Sequence, residues 1–275
     1  MPADRPFTVI DGFRCFAPEL ALASPDYPPE GFEISASAET ASFWCRSRNR
    51  IIGDAIARFT DPSRPIAVLE IGSGIGGVIA GLRRFAHLRL IASEVAINGL
   101  RFARARFPDV EWIQLDATAM PFTCDFDLVG AFDVLEHIEH DEQALAGVHR
   151  ALRPSGIALV TVPQHPWMWS ALDDAVRHKR RYTRRELLRK LDACGLETVF
   201  VSSFVTALFP VMAAARLLAR RRRGGDAERV LSSEVMLPPL INGVCDRVMR
   251  IDEAAMRRGV SLPFGGSLLA VARKR

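Results

Sequence analysis

Val68-Leu69-Glu70-Ile71-Gly72-Ser73-Gly74-Ile75-Gly76-Gly77 decides the fold. Ile66 to Ile71 is a short apolar run of the kind required by a strand covered on both faces. It runs directly into glycines, and an apolar helical segment follows to about Phe85. Glycines at such a turn let a ligand approach the main chain, and the first N–H groups of the helix have no partner within it. Gly72, Gly74 and Gly77 also satisfy G-x-G-x-x-G, the dinucleotide fingerprint. The loop taken alone therefore suits a nicotinamide cofactor, another nucleoside ligand, or a tight β–α turn with no ligand.

Outward from this stretch, strand-like runs recur at Leu88–Ala92, Val110–Leu115, Phe126–Phe132, Ile157–Val162, Leu196–Val201 and Ser267–Ala272. Helical periodicity fills the intervals at Asn98–Phe107 and Asp141–Leu152. This alternation predicts an α/β, Rossmann-like fold: a seven-stranded, mostly parallel sheet with helices on both faces. Residues 1–41, broken by Pro25, Pro28 and Pro29, read as an irregular lead-in. Residues 42–203 form the core, opening on a helix from Ser42 to Phe59; 204–266 are a helical insertion between strands six and seven, and 267–275 the last strand. Pro154-Ser155-Gly156 reads as a turn, Thr183 and Glu186 as a capping box, and Gly195 as the C′ residue of the helix that follows.

The composition excludes several classes. The chain has 275 residues, 49% hydrophobic and 25% charged, which rules out disordered and collagen-like polymers. A net charge of +4 without a concentrated basic stripe gives no reason to expect nucleic acid. Cys15, Cys45, Cys124, Cys194 and Cys245 contain no C-x-x-C pair, which argues against both a zinc cluster and a disulfide framework. A reducing, cytoplasmic setting is expected, and no signal peptide is visible at the N-terminus. Phe204 to Ala219 is apolar but too short to span a bilayer comfortably, and it contains Arg216.

Acidic residues follow the next two strands. Glu94 is placed to accept hydrogen bonds from both hydroxyls of a ribose, and Asp116, in Gln114-Leu115-Asp116-Ala117, to accept from an exocyclic amine. Asp133-Val134-Leu135-Glu136-His137-Ile138 comes after the fourth strand. Glycine loop, post-strand acids and Leu-Glu-His-Ile together resemble the class I S-adenosylmethionine-dependent methyltransferases, in particular the branch with the ubiquinone-pathway O-methyltransferases. The resemblance runs from about Phe43 to Val201. It implies S-adenosylmethionine as cofactor and S-adenosylhomocysteine as product. Glu70 and the loop Gly72, Ser73, Gly74 and Gly76 would face the methionine part. Glu94 would bind ribose with Val95 against the adenine, and Asp116 and the Ala117 N–H would read the adenine edge. The backbone of Phe132 would lie near the ammonium, with His137 close by. Arg48 or Arg50 would pair with the methionine carboxylate, or else belong to a solvated helix face. In some relatives acids and a His of this element bind a divalent cation, an arrangement that Asp133, Glu136 and His137 match in part.

Two histidines are candidate general bases. His165 follows the fifth strand, on the sheet edge where ligands of parallel sheets lie, and is flanked by Trp167 and Trp169 as pocket walls or as a packed lid. His178 precedes Lys179-Arg180-Arg181-Tyr182, a segment that also resembles the family. The insertion carries an apolar stretch that ends in Arg220-Arg221-Arg222-Arg223, suited to an anionic membrane surface, a dimer contact, or a core helix with a solvated tail. The expected activity is methyl transfer to a small-molecule or lipid-like acceptor, at oxygen. The alternatives are an NAD-dependent oxidoreductase, or a non-catalytic nucleoside-binding module at a membrane surface.

Overall fold

The structure, a computed structural model, describes residues 5–22, 36–219 and 237–275. Its strands are β1 (Thr8–Ile10), β2 (Phe13–Cys15), β3 (Ile66–Ile71), β4 (Leu88–Glu94), β5 (Glu111–Gln114), β6 (Phe126–Phe132), β7 (Leu152–Pro163), β8 (Leu196–Phe204) and β9 (Ser267–Lys274). They form one sheet in the order β1-β2-β5-β4-β3-β6-β7-β9-β8. The five strands from β5 to β7 run parallel, and β9 pairs antiparallel with both β7 and β8. The reversal of strand order at β3 puts its carboxyl end at the crevice where such sheets bind ligands.

The described sheet has nine strands rather than the seven expected. The two extra strands lie in the segment read as an irregular lead-in. Asp11 and Gly12 both take positive φ (52° and 77°), which closes a two-residue hairpin with Ile10 opposite Phe13. Asp-Gly is the pair such a turn prefers, and it stands in the sequence. Phe13 and Cys15 are buried, and β2 then extends the sheet alongside β5. Pro154-Ser155-Gly156 is not a separate turn: β7 runs through it, with Ser155 at φ 62° and a register shift against β6. Gly195 takes φ 78°, as a C′ glycine should. Thr183 accepts the N–H of Glu186, the first half of a capping box, whereas both halves are present at Ser170 and Asp173.

The core lies on both faces of β3, β6 and β7, where Leu69, Val129 and Val160 face one layer and Val68, Leu128 and Leu159 the other. On the second face the helix Phe43–Phe59 buries Ile51, Ile52 and Ile56. It packs beside the helix Pro239–Arg257, which belongs to the insertion along with Phe209–Ala219. The run Arg220 to Arg223 lies outside the described residues.

The turn after β3 explains its glycines individually. Gly72, Gly74 and Gly76 have φ of 63°, 52° and 85°. A Cβ on Gly72 would lie 2.6 Å from the Val134 side chain, and one on Gly76 2.9 Å from Trp112, whereas a Cβ on Gly74 meets nothing within 4 Å. Gly76→Ala is expected to destabilise the fold by about 1–3 kcal/mol from strained backbone and displaced aromatics, and Gly74→Ala by less. Urea unfolding midpoints of the two variants check the ranking.

Candidate active site

The ends of β3, β4 and β5 bring the nucleoside-binding candidates together. The Ser73 N–H bonds to the Ser93 carbonyl at 2.8 Å, which ties the glycine turn to β4. Glu94 accepts the N–H of Gly74 at 3.0 Å with one carboxylate oxygen, and those of Val95 (2.8 Å) and Ala96 (3.2 Å) with the other. Val95 is partly exposed beside it. Leu115 N–H bonds to the Glu94 carbonyl, so Asp116 emerges next in line. Its carboxylate caps the 3-10 turn Ala117–Ala119 through the N–H and hydroxyl of Thr118. Phe132 closes β6 with its ring buried.

Glu70 is the group here that most needs a ligand. It is 2% exposed, and its Oε2 has no hydrogen-bond partner. Burial pushes its pKa up to about 8, opposed by the Arg48 charge and reinforced by Glu39 and Glu94. A buried carboxyl beside an open, left-handed glycine turn fits the cationic amino end of S-adenosylmethionine, as Glu94 and Asp116 fit its ribose and adenine.

Next to this strip opens a cavity of about 400 Å³. Its polar lining includes Arg48, Asp133, Glu136, His137, His178 and Arg181, and its apolar lining comes from elements on both sides, among them Trp44, Met168 and Met212. Arg48 donates to Asp133 at 2.9 Å and stands over the Trp44 ring at 4.8 Å. Arg50 points elsewhere: it binds Asp246 (2.9 Å) and Glu253 (2.6 Å) on the helix Pro239–Arg257. Of the two arginines considered for the cofactor carboxylate, Arg48 is the one at the cavity.

His178 is at the cavity and His165 is not among its lining residues. His178 Nδ1 lies 2.8 Å from Asp173 Oδ1, which also accepts Arg181 Nε at 2.7 Å. Burial alone would raise the Asp173 carboxyl, but the His178 and Arg181 interactions outweigh it and hold it down to about 2. Main-chain bonds fix the segment: His178 N–H to the Asp173 carbonyl and Lys179 N–H to that of Glu136, both 2.8 Å. Tyr182, fully buried, anchors its far end by donating to Asp141 at 2.6 Å. His165 instead has φ 65°, packs against Trp167 and Phe209, and has its pKa lowered by burial and by the Arg181 charge.

Asp173 escaped the sequence reading. Its signal was Ser170-x-x-Asp173, a capping box that places the acid at the start of a helix, five residues before His178. Glu136, His137 and His178 each offer one ligand atom, all within 4.8 Å of one another. Neither carboxylate oxygen of the buried Glu136 accepts a hydrogen bond, Oε1 lying 3.9 Å from His178 Nε2, and burial, reinforced by Asp133, raises its pKa well above the ordinary range. Two imidazoles and a carboxylate are a donor set for a divalent transition ion. Asp133, the third residue implied for a cation, is held by Arg48, and His178 takes its place in the trio.

Residues 69–160 match the family described as "Methyltransferase domain". A trans-aconitate 2-methyltransferase from Azoarcus sp. is 29% identical over 43% of this chain and 47% of its own length. A "Probable S-adenosylmethionine-dependent methyltransferase" of Mycolicibacterium smegmatis is 29% identical over 66% of this chain and 69% of that one. The chain thus spans about half the length of the first of these relatives. Among solved structures, a TehB-like SAM-dependent methyltransferase from Corynebacterium glutamicum superposes with a TM-score of 0.53 at 17% identity, covering 90% of this chain and all of that one, which is a likeness of fold.

The raised Glu70 pKa has a measurable consequence. An acid whose folded pKa lies above its unfolded value contributes stability that is complete below about pH 4.5 and lost as pH rises through about 8. Glu70→Gln removes that titration. The variant's stability relative to the native protein is therefore expected to grow by a few kcal/mol between these pH values, as read from urea unfolding at pH 5 and pH 8.5.

Proposed function

We propose that this chain, which belongs to the class I S-adenosylmethionine-dependent methyltransferases, methylates a small organic acceptor at an oxygen, with His178 as the general base. The observation that supports this reading is the Asp173–His178 pair at the cavity beside the nucleoside strip. A base is needed only where the acceptor arrives protonated, as a hydroxyl does. When bound, S-adenosylmethionine supplies an electrophilic methyl on a sulfonium.

The residues divide the work. Glu70 and the main chain of Gly72 to Gly76 receive the amino-acid end, with Arg48 on the carboxylate. Glu94 and Asp116 hold ribose and adenine. Asp173 keeps the proton on Nδ1 of His178, so that Nε2, 3.9 Å from Glu136 Oε1, is the acceptor nitrogen; Arg181 keeps Asp173 ionised. The apolar wall from Met168 and Met212 excludes water from the reacting groups. Orientation of two reactants in such a space is worth up to about 7–11 kcal/mol, the largest contribution available to an in-line displacement. The oxidoreductase alternative gives no role to Asp116, and the family match runs against it.

The Glu136 carboxylate, which accepts no hydrogen bond, supports a second reading, in which Glu136, His137 and His178 hold a divalent cation that lowers the acceptor's pKa. Chelation with EDTA separates the two: turnover is unchanged if His178 is the base and lost if it is a ligand.

Titration calorimetry with S-adenosylhomocysteine tests the cofactor assignment. Gly74→Arg and Asp116→Ala should each weaken binding at least tenfold while the unfolding transition stays cooperative; affinity for NAD in place of S-adenosylhomocysteine would overturn it. With a hydroxylated acceptor, His178→Ala should lower kcat on the order of 10²–10⁴-fold with cofactor affinity retained. Asp173→Asn should lower kcat in the same direction, because the amide can present its N–H to Nδ1 and favour the wrong tautomer.

A further inference from the structure

The helix Pro239–Arg257 docks through a mixed face. Met249 and Met256 enter the core, and the rest of that face is polar: Asn242 bonds to Phe43 N–H and to the Ala41 carbonyl, Asp246 and Glu253 take Arg50, and Glu253 also takes the Ser47 hydroxyl. Asp252 accepts main-chain N–H groups of Thr206 and Ala207, which precede the helix Phe209–Ala219. The outward side carries an apolar stripe. Leu240, Ile241, Val244 and Ile251 are 80%, 51%, 48% and 64% exposed, with Val248 half-buried among them. Ile241, Val244, Val248 and Ile251 follow the i, i+3, i+7, i+10 spacing of a single stripe. An ordinary surface helix turns such a stripe to the core.

The neighbouring helix continues the pattern. One side of Phe209–Ala219 sends Met212 and Arg216 to the cavity, while Val211 and Leu217 are 72% and 51% exposed. At its start Phe209 contacts Trp167 and Phe264, which are themselves 41% and 45% exposed.

We propose that these two helices rest on an anionic lipid bilayer, in the interface and parallel to its plane. Charge decides for this occupant. Arg247 and Arg250 are exposed at the border of the stripe, and Arg257 and Arg258 are exposed at the end of the helix. An apolar stripe flanked by arginines is the composition of an interfacial helix at an acidic surface. The exposed tryptophan and phenylalanines suit the headgroup level. A second copy is the weaker occupant: one stripe falls well short of the roughly 20–30 residues a side of a standard interface. Among the described residues no helix is long and apolar enough to cross a membrane, so the contact is with the surface.

Co-sedimentation of the full chain with phosphatidylcholine vesicles, with and without phosphatidylglycerol, tests this. The protein should bind the anionic vesicles, bind at least tenfold less to the neutral ones, and lose affinity as salt is raised. The triple variant Ile241→Ser, Val244→Ser, Ile251→Ser should bind the anionic vesicles at least tenfold more weakly, and Arg247→Ser should weaken binding as well. Retained S-adenosylhomocysteine affinity and cooperative unfolding report an intact fold in both variants. Absence of binding to either vesicle, or equal binding by the triple variant, overturns the proposal. So does a dimer in sedimentation velocity that the triple variant converts to monomer without any effect of lipid.

Discussion

Everything in this structure depends on how the main chain turns at the end of β3. Three residues there adopt left-handed backbone, and two of the three have no room for a side chain. The turn is tied to β4 by a main-chain bond from Ser73 and to Glu94 by one from Gly74. Thus the same few atoms terminate the central strand, orient Glu94 and leave an open groove. Only glycine meets the first requirement at no steric cost, and an empty approach at Gly74 meets the last.

The electrostatics around that turn are arranged for a ligand rather than for the protein alone. Glu70 and Glu136 are buried with oxygens that bond to nothing, and burial disfavours their charge. Asp173 is equally buried but has His178 and Arg181, which keep it ionised. Acids of one chemical type are thus pushed in opposite directions within one site, and the difference lies in which of them accepts hydrogen bonds from His178 and Arg181. An unsatisfied buried carboxyl is a standing cost to the fold, tolerated where binding removes it.

The central sheet and the placement of Glu94 and Asp116 at its strand ends were legible in the sequence because both are local. A strand followed by glycines, then an acid after each of the next two strands, is a pattern along the chain that needs no knowledge of packing. The hairpin at Asp11-Gly12 was legible too, but three-residue strands carry too little periodicity to stand out among prolines. What the sequence could not separate was Arg48 from Arg50, or His178 from His165. Each pair lies close along the chain or on the same sheet edge, and the distinction comes from partners far away: Asp246 and Glu253 claim Arg50, whereas Trp167 and Phe209 enclose His165. The outward stripe of the helix Pro239–Arg257 was hidden for the same reason, since amphipathicity gives a face and not its direction.

One feature of the sheet edge also bears on how such a protein diversifies. Phe204, where β8 ends, and Ser267, where β9 begins, are paired residues of neighbouring antiparallel strands. The whole excursion between them therefore leaves and re-enters the scaffold through a single ladder rung. Its length can vary at little entropic penalty, because the two ends are already clamped together. The excursion nevertheless supplies Met212 and Arg216 to the cavity wall. Evolution can thus exchange this part of the cavity wall as a cassette, while the sheet and its glycine turn are inherited unchanged.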